Sequence, residues 1–163
     1  MATPNPDQSP AAQLENRIPP VILFFLAFAV QQLLPRPKKK GARGRGISRL
    51  AATGVVGGAL VLVMSAVRKL GENHTTVDPM EPTDATTLVT DGPYSLTRNP
   101  IYLSMAIALA GGAIWKRSVW AIVPVALFVA VLTRLQIIPE ERAMQFLFGD
   151  DYEQYTRDVR RWV

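Results

Sequence analysis

Apolar residues along this chain gather into four stretches, each bounded by prolines or charged residues. The first, PPVILFFLAFAVQQLLP, runs from Pro19 to Pro35 and carries Gln31-Gln32 inside it. It sits near the lower end of the roughly 17–25 residues that a membrane-spanning helix needs. Its Ala27–Ala29 also resembles a signal-peptide cleavage site, but the tail before it holds Arg17 alone beside Asp7 and Glu15. Without a positive leader, a spanning helix is the better reading. The second stretch, Ile47 to Val67, is long enough to cross a bilayer, and its Gly54-x-x-x-Gly58 predicts a helix-packing face. The third, Pro100 to Trp115, is short and contains Gly111-Gly112. The fourth, Val119 to Ile138, carries Arg134 near one end. Little more than Lys116-Arg117-Ser118 separates these two, which predicts a tight antiparallel hairpin. Beyond it, Phe148, Tyr152, Tyr155, Val159 and Trp162 recur at three- and four-residue spacing, the apolar face of an amphipathic helix. Gly149 can end one helical piece there, and Asp150 or Asp151 can cap the next. Arg157, Arg160, Arg161 and Trp162 suit its last turns and a membrane interface. The expected fold is all-α: an integral membrane bundle of about four transmembrane helices with a C-terminal interfacial helix.

The polar segments complete the organisation. Residues 1–17 read as a Pro-rich polar tail, residues 18–67 as two membrane helices around a basic loop, and residues 68–163 as the half that carries chemistry. The loop from Arg68 to Asn99 is too long for a plain connector. Cysteine is absent, and His74 is the single histidine, so thiolate chemistry and a histidine-rich metal site are excluded. His74 lies in the polar loop with no partner that would make it a base. Six of the eighteen Lys and Arg lie between Arg36 and Arg45. Set between two apolar stretches, that run reads as a membrane flank and not as a nucleic-acid site.

Two polar groups flank the predicted hairpin: Tyr94, Arg98, Asn99 and Tyr102 before it, and Glu140-Glu141 after it. A hairpin returns its free ends to one side of the bilayer, so the two groups should be neighbours. Pro100 suits a first helical position, where free N–H groups favour an anion. Arg98 offers a cationic fork, the glutamates offer negative charge for an ammonium or sulfonium, and the tyrosines offer ring faces. S-adenosylmethionine would satisfy all of these, although other ligands could too. Taken singly, each residue also fits a plain structural role, the Arg and Tyr as interface anchors and the glutamates as helix-dipole partners.

TTLVTDGPYSLTRNPIYLS, then a short hairpin, then PEERAMQFLFGDDYEQYTRDVRRWV, resembles the isoprenylcysteine carboxyl methyltransferase family, a group of membrane enzymes that includes phospholipid methyltransferases. The resemblance runs from about Gly71 to Val163. It implies a cofactor pocket for S-adenosylmethionine built by Thr86, Thr87, Leu88, Val89, Gly92, Tyr94, Asn99, Pro100, Tyr102, Glu140 and Glu141. Arg98 and Arg134 are then the candidate catalytic residues, Arg134 as one facing the substrate. Members acting on prenylated cysteine usually carry His at the positions of Asn99 and Thr86, so histidine-dependent details do not transfer. Asn99 resembles bacterial members of broad specificity. The implied reaction is methyl transfer to a lipid-like or prenylated acceptor among membrane lipids. With no evident base, an already anionic acceptor is favoured. A cytosolic cofactor puts the site on the cytosolic side of a multi-pass protein. With Arg49 and Arg134 set aside as lying within helices, Lys and Arg divide evenly between the two faces, eight against eight, so charge does not set the orientation. Two alternatives stand beside this reading: a membrane sterol or lipid reductase using NADPH, and a non-catalytic membrane protein that keeps the fold.

Overall fold

The computed structural model describes residues 18–35, 42–73 and 85–163. The expected tail (1–17), most of the basic run (36–41) and His74 lie outside the described residues. Within them all regular structure is helical: α1 (Pro20–Leu33), α2 (Ala42–Glu72), a 3-10 turn (Gly92–Ser95), α3 (Pro100–Lys116), a second 3-10 turn (Val119–Ile122), α4 (Val123–Leu132), a π-helical turn (Thr133–Ile137) and α5 (Ile138–Asp158). The stretches Gly44–Glu72 and Val119–Asp158 are long and apolar enough to cross a membrane, whereas Pro20–Leu33 and Pro100–Lys116 are shorter apolar helices. At 1.5 Å per residue α1 reaches about 21 Å, short of a bilayer core of about 30 Å. Outward faces carry Phe25, Leu26, Leu50, Leu60, Val61 and Met64, an apolar surface suited to lipid.

The hairpin forms as its sequence implies. Pro100 occupies the first helical turn of α3, and Arg117 reverses the chain in the left-handed region (φ 54). Between α3 and α4 the core gathers Tyr102, Ala106, Leu109, Phe128, Leu132 and Ile137, with Leu23, Phe24 and Ala27 of α1 packed on it. Phe24 meets Phe128 edge-on, 6.3 Å between centroids. The glutamines inside α1 also have a structural reason. Gln31 is fully buried, and its Nε2 donates to the Leu109 and Ala121 carbonyls at 2.9 Å each. Lys116 Nζ donates to the Gln32 carbonyl at 2.8 Å, placing a cation at the carbonyl end of α1.

Three expectations need correction. Gly54 and Gly58 are exposed and do not form the packing face of α2. That face is Ala52, Ala59 and Ala66, each buried, and the glycine that lets helices approach is Gly111 of α3, which lies against Val55, Val56 and the Ala52 carbonyl. The fourth helix does not stop near Ile138 but runs on through the π turn into α5, which kinks at Gly149 and ends at Asp158. Pro139 lacks a donor and crowds the preceding turn, and the π turn before it absorbs that mismatch, with Ile138 N–H donating to the Thr133 carbonyl. Finally, α5 ends at Asp158 and Val159 is extended (φ −122, ψ 130), so Val159 and Trp162 are not on its apolar face. Trp162 packs against the hairpin core, and its indole N–H donates to Thr133 Oγ1 at 3.2 Å.

A Cβ on Gly112 would lie 2.4 Å from Gln31 Oε1, on a side chain already tied at two carbonyls. Gly112→Ala is therefore expected to cost about 1–2 kcal/mol, overpacking outweighing the gain in helix propensity. Gly58→Ala meets open space and should be neutral or stabilising. Thermal unfolding of both variants in detergent checks the contrast.

Candidate functional site

The mouth of α3 is held by the residues that follow α5. Asn99 occupies the N-cap position (φ −127, ψ 57), yet its side chain makes no cap bond. Its Nδ2 donates instead to the Arg161 carbonyl at 2.9 Å. Thr97 Oγ1 donates to the same carbonyl at 3.0 Å and accepts the Asn99 N–H at 3.2 Å. Arg98 N–H donates to the Arg160 carbonyl at 3.0 Å. Just upstream, Gly92 adopts φ 59 and opens the 3-10 turn that carries Tyr94. The Tyr155 hydroxyl locks that turn by donating to the Tyr94 carbonyl at 2.7 Å. Burial pushes the Tyr94 hydroxyl well above its ordinary pKa, so it stays protonated and does not serve as a base.

The adjacent glutamates have different partners. Glu141 is gripped by two guanidinium groups: Arg98 Nη2 reaches Oε1 at 2.6 Å, and Arg161 reaches Oε1 from Nε at 2.9 Å and Oε2 from Nη2 at 2.6 Å. Arg98 Nη1 also donates to the Thr156 and Val159 carbonyls, at 3.2 and 3.0 Å, satisfying the end of α5. That leaves Arg98 Nε, which is buried with no hydrogen-bond partner among the described residues. Glu140 is held by neutral donors, the Tyr102 hydroxyl and Gln136 Nε2 at 2.8 Å. The predicted meeting of the two hairpin ends is thus realised, Tyr102 with Glu140 and Arg98 with Glu141.

Around these residues lies a cavity of about 360 Å³, within the size range of ligand pockets. Its wall includes Thr87, Leu88, Val89, Tyr94, Arg98, Asn99, Pro100, Tyr102, Glu140 and Glu141. Three nominated residues stand outside it. Thr86 and Gly92 flank the wall in the loop, and Arg134 is exposed on the π turn. The sequence reading did not nominate Tyr152 and Tyr155, which also line the cavity, so all four tyrosines of the chain do. Gly149 (φ 51, ψ −120) breaks the helical path of α5 and turns both rings back towards the site. The three-residue spacing of the pair had marked them as an apolar face; the glycine before them was the signal of their direction. Pro20 and Val21 of α1, Val67 and Leu70 of α2, and Met105 add apolar lining to the cavity.

Bundle and cavity together define a helical membrane-type protein with a ligand-sized chamber at one end, lined by both polar and apolar side chains. The family profile described as phospholipid methyltransferase matches residues 47–151, well over half of the chain, and the chain belongs to that family. The matched stretch takes in most of α2, the mouth of α3, the hairpin and both glutamates. Membership places the protein among the membrane methyltransferases in general. A protein of Haemophilus influenzae (strain ATCC 51907 / DSM 11121 / KW20 / Rd), described as uncharacterized, is 35% identical over 63 residues, 39% of this chain and 100% of that protein. No solved structure matches the chain.

The side chains of Arg98 and Glu141 are only 11% and 18% exposed. Arg98→Ala should cost about 3 kcal/mol, the lower end for breaking a buried pair, because Arg161 still holds the carboxylate. Chemical denaturation in detergent measures it.

Proposed function

We propose that this protein transfers a methyl group from S-adenosylmethionine to a lipid-like or prenylated acceptor at the membrane face. The observation that carries the reading is a pair of incompletely matched polar groups in the cavity wall. Among the described residues Glu140 is a carboxyl group met only by neutral donors, and Arg98 Nε is a buried donor without an acceptor. An amino acid ligand supplies the complement of both, an ammonium for Glu140 and a carboxylate for Arg98, with the free N–H groups at the start of α3 beside it. The rings of Tyr94, Tyr102, Tyr152 and Tyr155 offer stacking for a base and a face for a cationic sulfur.

When bound, S-adenosylmethionine supplies an activated methyl group on a sulfonium, which leaves the protein the tasks of alignment and water exclusion. Asn99, Pro100 and Tyr102 fix one side of the chamber, and Glu140 and Glu141 the other. Pro20, Val21, Val67, Leu70 and Met105 give the apolar part of an acceptor a place to lie. In this reading the protein crosses the membrane several times, and the cavity opens to the cytosol, where the donor is found. A nicotinamide phosphate is a poorer fit: among the described cavity-lining residues Arg98 is the one cation, and the single N–H it leaves unmet suits one carboxylate better than a doubly charged phosphate.

Calorimetry with detergent-purified protein tests the proposal. S-adenosylmethionine should bind in the micromolar range, and Glu140→Gln should weaken it at least tenfold, since losing a charge-assisted bond costs about 1.5–3 kcal/mol. The glutamine can still accept from Tyr102, so the fold should persist. A folded wild type that binds NADPH and ignores S-adenosylmethionine overturns the reading in favour of a reductase. One that binds neither leaves the cavity as architecture.

A further inference from the structure

Five residues beyond α5, Val159 to Val163, touch three separate parts of the site, yet they lie outside the stretch matched by the family profile. Arg161 is the centre of these attachments. Its carbonyl receives the Thr97 hydroxyl and the Asn99 amide, at 3.0 and 2.9 Å, which fixes the entry to α3. Its guanidinium takes both oxygens of Glu141 on α5, at 2.9 and 2.6 Å. On either side, the Arg160 carbonyl receives the Arg98 N–H, and the Trp162 indole reaches Thr133 in the π turn.

We propose that Val159–Val163 is a strap that braces the residues of the cavity wall from outside the cavity, with Arg161 as its positioning residue, setting Glu141 and the mouth of α3 for the methyl donor. Arg161 does not line the cavity and works through groups that do. Glu141 is next in sequence to Glu140, so a fixed Glu141 fixes the helical face from which Glu140 meets the ligand. Asn99, held at the Arg161 carbonyl, sets the start of α3, where the free N–H groups lie. A bidentate guanidinium imposes an orientation that a single ammonium does not. The identity of the ligand rests on the function proposed above; the strap itself does not.

Two measurements on the full chain in detergent separate these claims. Hydrogen exchange without ligand reads the strap, and calorimetry with S-adenosylmethionine reads its consequence. Arg161→Ala should speed exchange across 97–99 and 159–163, and should weaken binding about tenfold or more. Arg161→Lys, able to make one contact where two existed, should recover part of the affinity. Arg160→Ala keeps the carbonyl that Arg98 uses and removes only an exposed side chain, so it should match the wild type in both assays. Should Arg161→Ala not fold, Arg161→Lys carries the test through an intermediate loss. Unchanged exchange, or undiminished affinity in a folded variant, overturns the proposal. A wild type that ignores S-adenosylmethionine while Arg161→Ala still loosens 97–99 removes the donor assignment and leaves the strap standing.

Discussion

The Glu141 carboxylate, clasped by Arg98 from one side and Arg161 from the other, joins segments more than forty residues apart and sets how the end of the bundle is built. A charge removed from water must be matched by charges and hydrogen bonds of good geometry, or the fold loses more than it gains. Here Arg98 meets that condition twice, pairing with Glu141 and satisfying the last carbonyls of α5. The same clasp brings the extended segment after α5 against the mouth of α3, which orients Asn99 and Thr97. Remove it, and the polar wall of the cavity has no frame.

Adjacent glutamates of identical chemistry are thereby given different work. Glu141 is consumed by cations and belongs to the scaffold. Glu140, one position earlier, meets a tyrosine and a glutamine, with no cationic partner among the described residues. The separation follows from helix geometry, in which neighbouring residues face about 100° apart. The wide π turn just before them places Gln136 where it can hold Glu140.

Much of this was legible in the chain. The three residues between the third and fourth apolar stretches forced a hairpin, and a hairpin forces its ends together, so the meeting of the Tyr94–Tyr102 group with Glu140-Glu141 followed from spacing, while the individual pairs came from the fold. Family resemblance, from about Gly71 to Val163, and family profile, over residues 47–151, overlap across 71–151. What escaped was set by tertiary contact. Gly54 and Gly58 carry a packing motif, but the choice of face fell to Ala52, Ala59 and Ala66, because Gly111 on α3 offers the closer approach. The fourth apolar stretch reads as ending at Ile138, but the Pro139 that follows can either end a helix or be absorbed by a bulge, and only the neighbouring turns decide. Arg161 and Trp162 looked like the last turn of an interfacial helix, whereas their partners lie 20 and 29 positions earlier in sequence. Periodicity carries no record of such partners.

The attachment of α1 has a mechanical meaning. Among the described residues its hydrogen bonds to the rest of the bundle are at Gln31 and Gln32, about 16 Å along the axis from Pro20. Pro20 and Val21, at the other end, form part of the apolar cavity wall. That helix is pinned like a lever at one end and rests at the other on dispersion contacts alone. Such contacts weaken gradually with separation and have no directional bond to break. The cavity is therefore stiff on its carboxylate side and compliant on the side nearest the lipid-facing surface, where a guest of variable length could be accommodated at small cost.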